Sequence, residues 1–106
     1  MPKVSAKTCQ TMVDIRREID RVDRALVSLL AERLTYIERA AAIKTDRDKV
    51  HDAARIEDVL KKVRAEAGKL GLDPGLAEGV WRELVRLCIA HEFRTFDDRS
   101  AQQVTE

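Results

Sequence analysis

The sequence predicts an all-α protein of three helices, and three observations lead there. Helix-forming Ala, Leu, Arg, Glu and Lys dominate its 106 residues, and only 4 glycines and 2 prolines interrupt them. Apolar residues return at three- and four-residue steps, the repeat of one helix face. No stretch alternates apolar and polar residues over enough positions to suggest a sheet. The length suits one domain.

The first helix should begin near Thr11, with Asp14 three residues later as a variant of an N-terminal capping pattern. Ile15, Ile19, Val22, Leu26, Leu29, Leu30, Ile37, Ala40 and Ala41 then form one stripe, with no Gly or Pro before Lys44. A helix of about 34 residues is roughly 50 Å long, whereas a domain of this size has a radius of gyration of about 13 Å. Such a rod exposes part of its apolar stripe, and a second copy of the chain is the simplest cover. A homodimer is therefore expected.

The polar stretch Thr45 to Ala54 reads as a loop. A second helix follows, with Ile56, Val59, Leu60, Val63, Ala67 and Leu70 on its inner face. It should stop near Gly68 or Gly71, because glycine suits the left-handed residue just past a helix. Asp73-Pro74 supplies a cap and a first-turn proline for the third helix. On that helix Leu76, Val80, Leu84 and Leu87 read as the buried side. Trp81, Val85 and Cys88 line a neighbouring side that leads to Glu92 and Phe96. Residues 1–10 and 97–106 read as flexible tails around a helical domain over 11–96.

Composition narrows the function. Twenty basic and nineteen acidic residues give a formal net charge of +1, without the basic surplus of a nucleic-acid binder. No apolar run approaches the roughly 18 residues that span a bilayer, and the N-terminus lacks the apolar core of a signal peptide. Cys9 and Cys88 have neither metal-site spacing nor the density of a disulfide scaffold, and read as reduced thiols of a cytoplasmic protein. Ser5, Ser28 and Ser100 have no evident base partner, and no Gly-rich phosphate loop is present. His51 and His91 read as surface or structural residues, and Cys88 as a packing residue.

Against this balanced background, charges on apolar faces stand out. The first stripe runs Leu26, Leu30, Arg33, Ile37, Ala41, Lys44, so two cations sit where the period asks for hydrophobes. Burying an unpaired cation costs several kcal/mol, so each must reach water or an anion. Glu92 is the matching oddity on the third helix, while Arg16 and Arg55 open the first and second. The cations can snorkel to solvent along their alkyl stems. Glu92 can pair with Arg33 or Lys44 as a structural salt bridge. Alternatively, the cations and the carboxyl converge on a polar pocket suited to a small dicarboxylate. Periodicity does not decide among these.

The order of the residues goes further. Ile15-Arg16-Arg17-Glu18-Ile19-Asp20-Arg21-Val22-Asp23, then Leu29-Leu30-Ala31-Glu32-Arg33, then Ile43-Lys44, resembles the long first helix of the all-helical chorismate mutases. Val50-His51-Asp52-Ala53-Ala54-Arg55 is similar to that family's approach to its second helix, and the likeness continues to about Phe96. The resemblance implies an intertwined homodimer of three-helix chains with two composite sites, which convert chorismate to prephenate without cofactor or metal. By the same resemblance, Arg16 of the partner chain holds one substrate carboxylate and Arg33 the other. Lys44 donates to the ether oxygen, and Glu92 stands beside that oxygen. Asp52 and Arg55 help to close the pocket, and Cys88 lies one turn before Glu92, where a small hydroxyl residue is common. A pericyclic step needs no nucleophile, only a held conformer and fixed donors where charge develops.

Two positions depart from the family pattern. Ile56 stands where many of these mutases carry a Glu that binds the substrate hydroxyl. An aliphatic residue there resembles the isochorismate pyruvate lyases, which share the fold and release pyruvate from isochorismate to leave salicylate. Glu92 leans back toward the mutases, because the lyase pattern has Gln there. An ionised Glu92 would repel the developing oxyanion, so it has to carry a proton to help. A non-catalytic dimeric helical module is the alternative outside enzymology.

Overall fold

A computed structural model describes residues 5–105, with side chains up to Arg99. Residues 1–4 of the expected N-terminal tail and residue 106 of the C-terminal one lie outside the described residues. The chain is all-α: α1 spans Met12–Ile43, α2 Ala53–Lys69 and α3 Pro74–Thr105. Short 3-10 turns occupy Ala6–Thr8 and Arg47–Lys49.

Local chemistry sets most of these boundaries. The Thr11 hydroxyl accepts the Asp14 N–H at 3.1 Å, and the Asp14 carboxylate accepts the Gln10 N–H at 3.2 Å. One N-terminal donor of α1 is thereby satisfied, and the Asp14 carboxylate reaches back to the residue before the cap, a variant of the capping box. Asp52 caps α2 by accepting the Arg55 N–H at 3.1 Å, which starts that helix two residues before Arg55. At the other end of α2, Gly71 adopts φ 74°. The Leu72 N–H reaches the Ala67 carbonyl at 2.9 Å and the Gly71 N–H reaches that of Gly68 at 3.4 Å, the paired bonds of a Schellman cap. The Asp73 carboxylate accepts the Gly75 N–H at 3.1 Å, with Pro74 as the first residue of α3.

A Cβ at Gly71 meets nothing within 4 Å, so a substitution there is resisted by backbone strain alone. Gly71→Ala is expected to cost about 1–2 kcal/mol, the price of a left-handed conformation for an L residue. Urea denaturation would measure it, and turnover per folded enzyme should not change.

The chain divides into two compact units, Met1–Thr35 and Tyr36–Glu106. In the first, Ala6 and Cys9 line a shallow apolar cavity on α1 with Ile15, Ile19 and Val22. Ile19, Val22, Leu26, Leu29 and Leu30 are exposed. Asp14–Arg17 and Glu18–Arg21 pair along the helix.

The second unit holds the last turns of α1 with α2 and α3. Leu60 and Ala67 of α2 and Ala77 and Val85 of α3 are buried, and Arg64 donates to Glu78 across the two helices at 3.0 Å. The Arg64 hydrogen bond holds the Glu78 carboxyl below the usual carboxylate range. A second cluster joins Ala41 of α1, Val50 of the connecting loop and Phe96 of α3, with Ile89 and Phe93 packed against it.

Three expectations are corrected here. The side of α3 buried within the chain carries Ala77, Val85, Glu92 and Phe96, while Leu76, Val80 and Leu87 are exposed. Two apolar stripes share this helix, and α2 covers the one with the small residue Ala77, which lets the backbones approach. Leu70, expected on the inner face of α2, is 76% exposed, because it falls at the cap, where the chain leaves the helical period. Lastly, α3 does not stop near Phe96 but runs through Thr105. No Gly or Pro follows Gly79, and Asp97 and Arg99 are tied to earlier segments. Asp97 accepts from Arg47 at 2.9 Å, and Arg99 donates to the carbonyls of Ala41, Ala42 and Lys44.

Candidate active site

Lys44 is the first residue beyond α1, and its N–H still closes a helical bond to Ala40 at 3.0 Å. Its ammonium meets the Glu92 carboxylate at 2.5 Å. Glu92 is the one charged residue buried among the described residues, at 4% exposure. The Lys44 side chain keeps 28% of its surface. Of the alternatives left open by the sequence, the chain itself displays the pairing of Glu92 with Lys44, across 48 residues. Such a half-buried pair is a fixed, partly desolvated donor–acceptor couple.

The loop after Lys44 is tied to α3 at the residues that follow Glu92. The Asp46 carboxylate caps the turn Arg47–Lys49 by accepting the Asp48 N–H at 3.0 Å. The Arg47 guanidinium lies 4.5 Å from the centroid of the Phe93 ring, a cation–π contact, while its Nε donates to Asp97. Lys44, Asp48, Lys49, His51 and Asp52 then line an open depression that ends at Ala53 and Ala54. Next to it, His51, Ile56, Val85 and Ile89 line a smaller groove with Arg82 and Arg86.

The remaining predicted site residues are placed as follows. Asp52 lines the depression, with its carboxylate engaged as the α2 cap. Arg55 is exposed and donates to Asp58 at 2.7 Å. Hydrogen bonds from Lys62 and Arg55 keep that Asp58 carboxyl below its ordinary range. Ile56 is half-buried and presents no polar group to the groove. Cys88 is half-buried on α3, one turn before Glu92, and outside any disulfide. Arg16 and Arg33 lie on α1 in the first unit, exposed and half-buried respectively. Arg47 and Arg99 were not singled out by the sequence. The signal available for them was the absence of any helix breaker after Gly79, which carries the face of Phe93 and Phe96 onward.

Among the described residues no group of His, Cys, Asp and Glu is arranged to hold a metal ion, and no helix is long and apolar enough to cross a membrane. What the arrangement offers is an ammonium at the edge of a polar depression, backed by a buried carboxyl.

The chain is similar in sequence to several known proteins. The isochorismate pyruvate lyase of Pseudomonas aeruginosa is 28% identical over 86 residues, which cover 81% of this chain and 85% of that protein. The T-protein of Haemophilus influenzae is 32% identical over 84 residues, 78% of this chain and 22% of that protein. The T-protein of Enterobacter agglomerans is 36% identical over 73 residues, 68% of this chain and 20% of that protein. The chain thus spans about a fifth of the two T-proteins. The family model described as chorismate mutase type II matches residues 15–93, a stretch that takes in Arg16, Arg33, Lys44, Arg55 and Glu92 and stops short of Arg99. The chain belongs to the chorismate mutase type II family.

Proposed function

We propose that the protein is a chorismate mutase that rearranges chorismate to prephenate in a pocket completed by a second copy of the chain. The observation that carries this reading is the Lys44–Glu92 couple, 2.5 Å apart and mostly withdrawn from water. In the rearrangement the ether C–O bond breaks while the enolpyruvyl methylene carbon bonds to the ring, and negative charge grows on the ether oxygen. Lys44 donates to that oxygen, and Glu92, carrying a proton, donates from the other side. Fixed donors aimed at developing charge are the largest common source of enzymatic rate enhancement. Arg33 and the partner chain's Arg16 hold the two substrate carboxylates, so that the reactive conformer is selected on binding. Asp52, Arg55, Ile56 and Cys88 complete the pocket wall.

The dimer in this reading is supported by apolar surface. Ile19, Val22, Leu26, Leu29 and Leu30 on α1, and Leu76, Val80 and Leu87 on α3, are exposed. Exposed apolar surface of that extent marks an interaction surface. Leu26, 51% exposed within the chain, serves as a probe. Leu26→Asp is expected to weaken self-association by about 2 kcal/mol, roughly thirtyfold in dissociation constant. Sedimentation velocity across a concentration series would read it, and an unchanged sedimentation profile would count against the dimer.

A specific observation favours a second reading. Ile56 gives the groove an aliphatic wall where a hydroxyl-binding carboxylate is expected of a mutase, and the P. aeruginosa relative is named isochorismate pyruvate lyase. In that reaction the same C–O bond breaks, and a ring hydrogen moves to the methylene carbon, leaving salicylate and pyruvate. Supplying chorismate and isochorismate separately separates the readings. Prephenate from chorismate supports the mutase, while salicylate with pyruvate from isochorismate supports the lyase. Turnover of neither would leave a helical module without this chemistry.

A further inference from the structure

Helix α1 ends without the usual local devices. The Lys44 N–H closes the last helical bond, to Ala40, which leaves the carbonyls that follow without helical partners. The residues that follow are Lys44 and Thr45 rather than glycine, and among the described residues Gly71 alone has a positive φ. No basic side chain lies in the last turn of α1. The missing donors come from α3. Arg99 sends one guanidinium nitrogen to the carbonyls of Ala41 and Ala42 at 2.9 and 2.6 Å, and the other to the carbonyl of Lys44 at 2.9 Å. Its remaining nitrogen, Nε, is buried without an acceptor. The guanidinium plane lies 4.5 Å from the centroid of the Phe96 ring, and Phe96 itself packs against Ala41.

Glu92, Phe96 and Arg99 follow one another at steps of four and three residues, two turns along one face of α3. Through them one helix face grips Lys44 twice: Glu92 takes its ammonium, and Arg99 takes its carbonyl. A side chain that must present a donor within a few tenths of an ångström needs a fixed backbone beneath it. Lys44 lies past the last helical residue, where fraying would otherwise move it.

We propose that Arg99 is a positioning residue that sets the reach of Lys44 by capping the end of α1. The proposal rests on the reading of Lys44 as the donor to the substrate. In this scheme Arg99 acts through the backbone of Ala41 to Lys44, whose carbonyls take its guanidinium donors. Lysine in its place supplies one charged head instead of a planar fork, so it bonds fewer of the three carbonyls.

The test compares Arg99→Ala, Arg99→Lys, Lys44→Ala and the Arg99→Ala/Lys44→Ala double variant in the full chain, with kcat and KM measured on chorismate and on isochorismate. Amide hydrogen exchange is followed at Ile43 and Lys44, with Leu60 in the α2 core as the internal control. Arg99→Ala is expected to lower kcat by about tenfold with KM within about threefold, since misplacement of a catalytic group is felt in the chemical step. Arg99→Lys should recover part of this loss. Exchange at Ile43 and Lys44 should speed up by about tenfold while Leu60 is unchanged, the pattern of local rather than global opening. In the Lys44→Ala background, Arg99→Ala should have no further effect on kcat. Unchanged exchange at Lys44, or the same loss of kcat in both backgrounds, would overturn the proposal. If Lys44→Ala itself kept full turnover, the assignment of Lys44 as donor would fall and the positioning role with it. If Lys44→Ala were impaired but Arg99→Ala were not, the positioning role alone would fall.

Discussion

Lys44→Ala is expected to lower turnover of the physiological substrate by about 10²–10³-fold, the usual loss when one donor to a developing oxyanion is removed. The expectation follows from where the ammonium stands. It is held at 2.5 Å from Glu92, at the mouth of a polar depression, with 28% of the side chain still open to an incoming group. A substrate anion can therefore meet a donor already oriented, with little reorganisation left for the chemical step. The same variant has a cost in stability, because the Glu92 side chain, only 6% exposed, loses its partner. Breaking a buried pair at one end can cost about 3–5 kcal/mol, less here because Lys44 is not fully withdrawn from water. Thermal denaturation therefore has to accompany the assay. Lys44→Ala/Glu92→Gln, which leaves no stranded carboxylate, should recover stability without recovering turnover. A single variant that stays folded and turns over at the normal rate would remove Lys44 from the mechanism.

The features legible in the sequence are those whose causes are local. Thr11 with Asp14, Asp73 with Pro74, and Gly71 each act within a few residues of themselves, and each marks a helix end in the structure. The couple at the site was half legible. Lys44 and Glu92 stand out because each interrupts an apolar face, yet several cations were available to that one carboxyl, and only packing selects among them. The buried side of α3 was misjudged for a related reason. A period of 3.6 residues shows that a stripe exists but not what covers it. Leu76, Val80 and Leu87 are as periodic as Ala77 and Val85 while remaining exposed in the chain. The unbroken helix leading to Arg99 was legible, but its capping role was not, since the carbonyls that it caps lie 55 to 58 residues away. In sequence it is one charge in a stretch resembling a tail.

Glu92→Gln should turn over the substrate at least as fast as the wild type. The carboxyl helps only as a donor, because an ionised Glu92 beside the ether oxygen opposes the charge that grows there. An amide in the same place donates from its NH2 group and carries no charge. It also leaves Lys44 free to turn wholly to the substrate, since the pull of the carboxylate 2.5 Å away is gone from its other side. Steady-state kcat of the two proteins measures this, with thermal denaturation alongside to separate it from a loss of packing. A variant that stays folded yet loses turnover would mean that the carboxylate itself is needed. The role of Glu92 would then be confined to orienting the ammonium of Lys44.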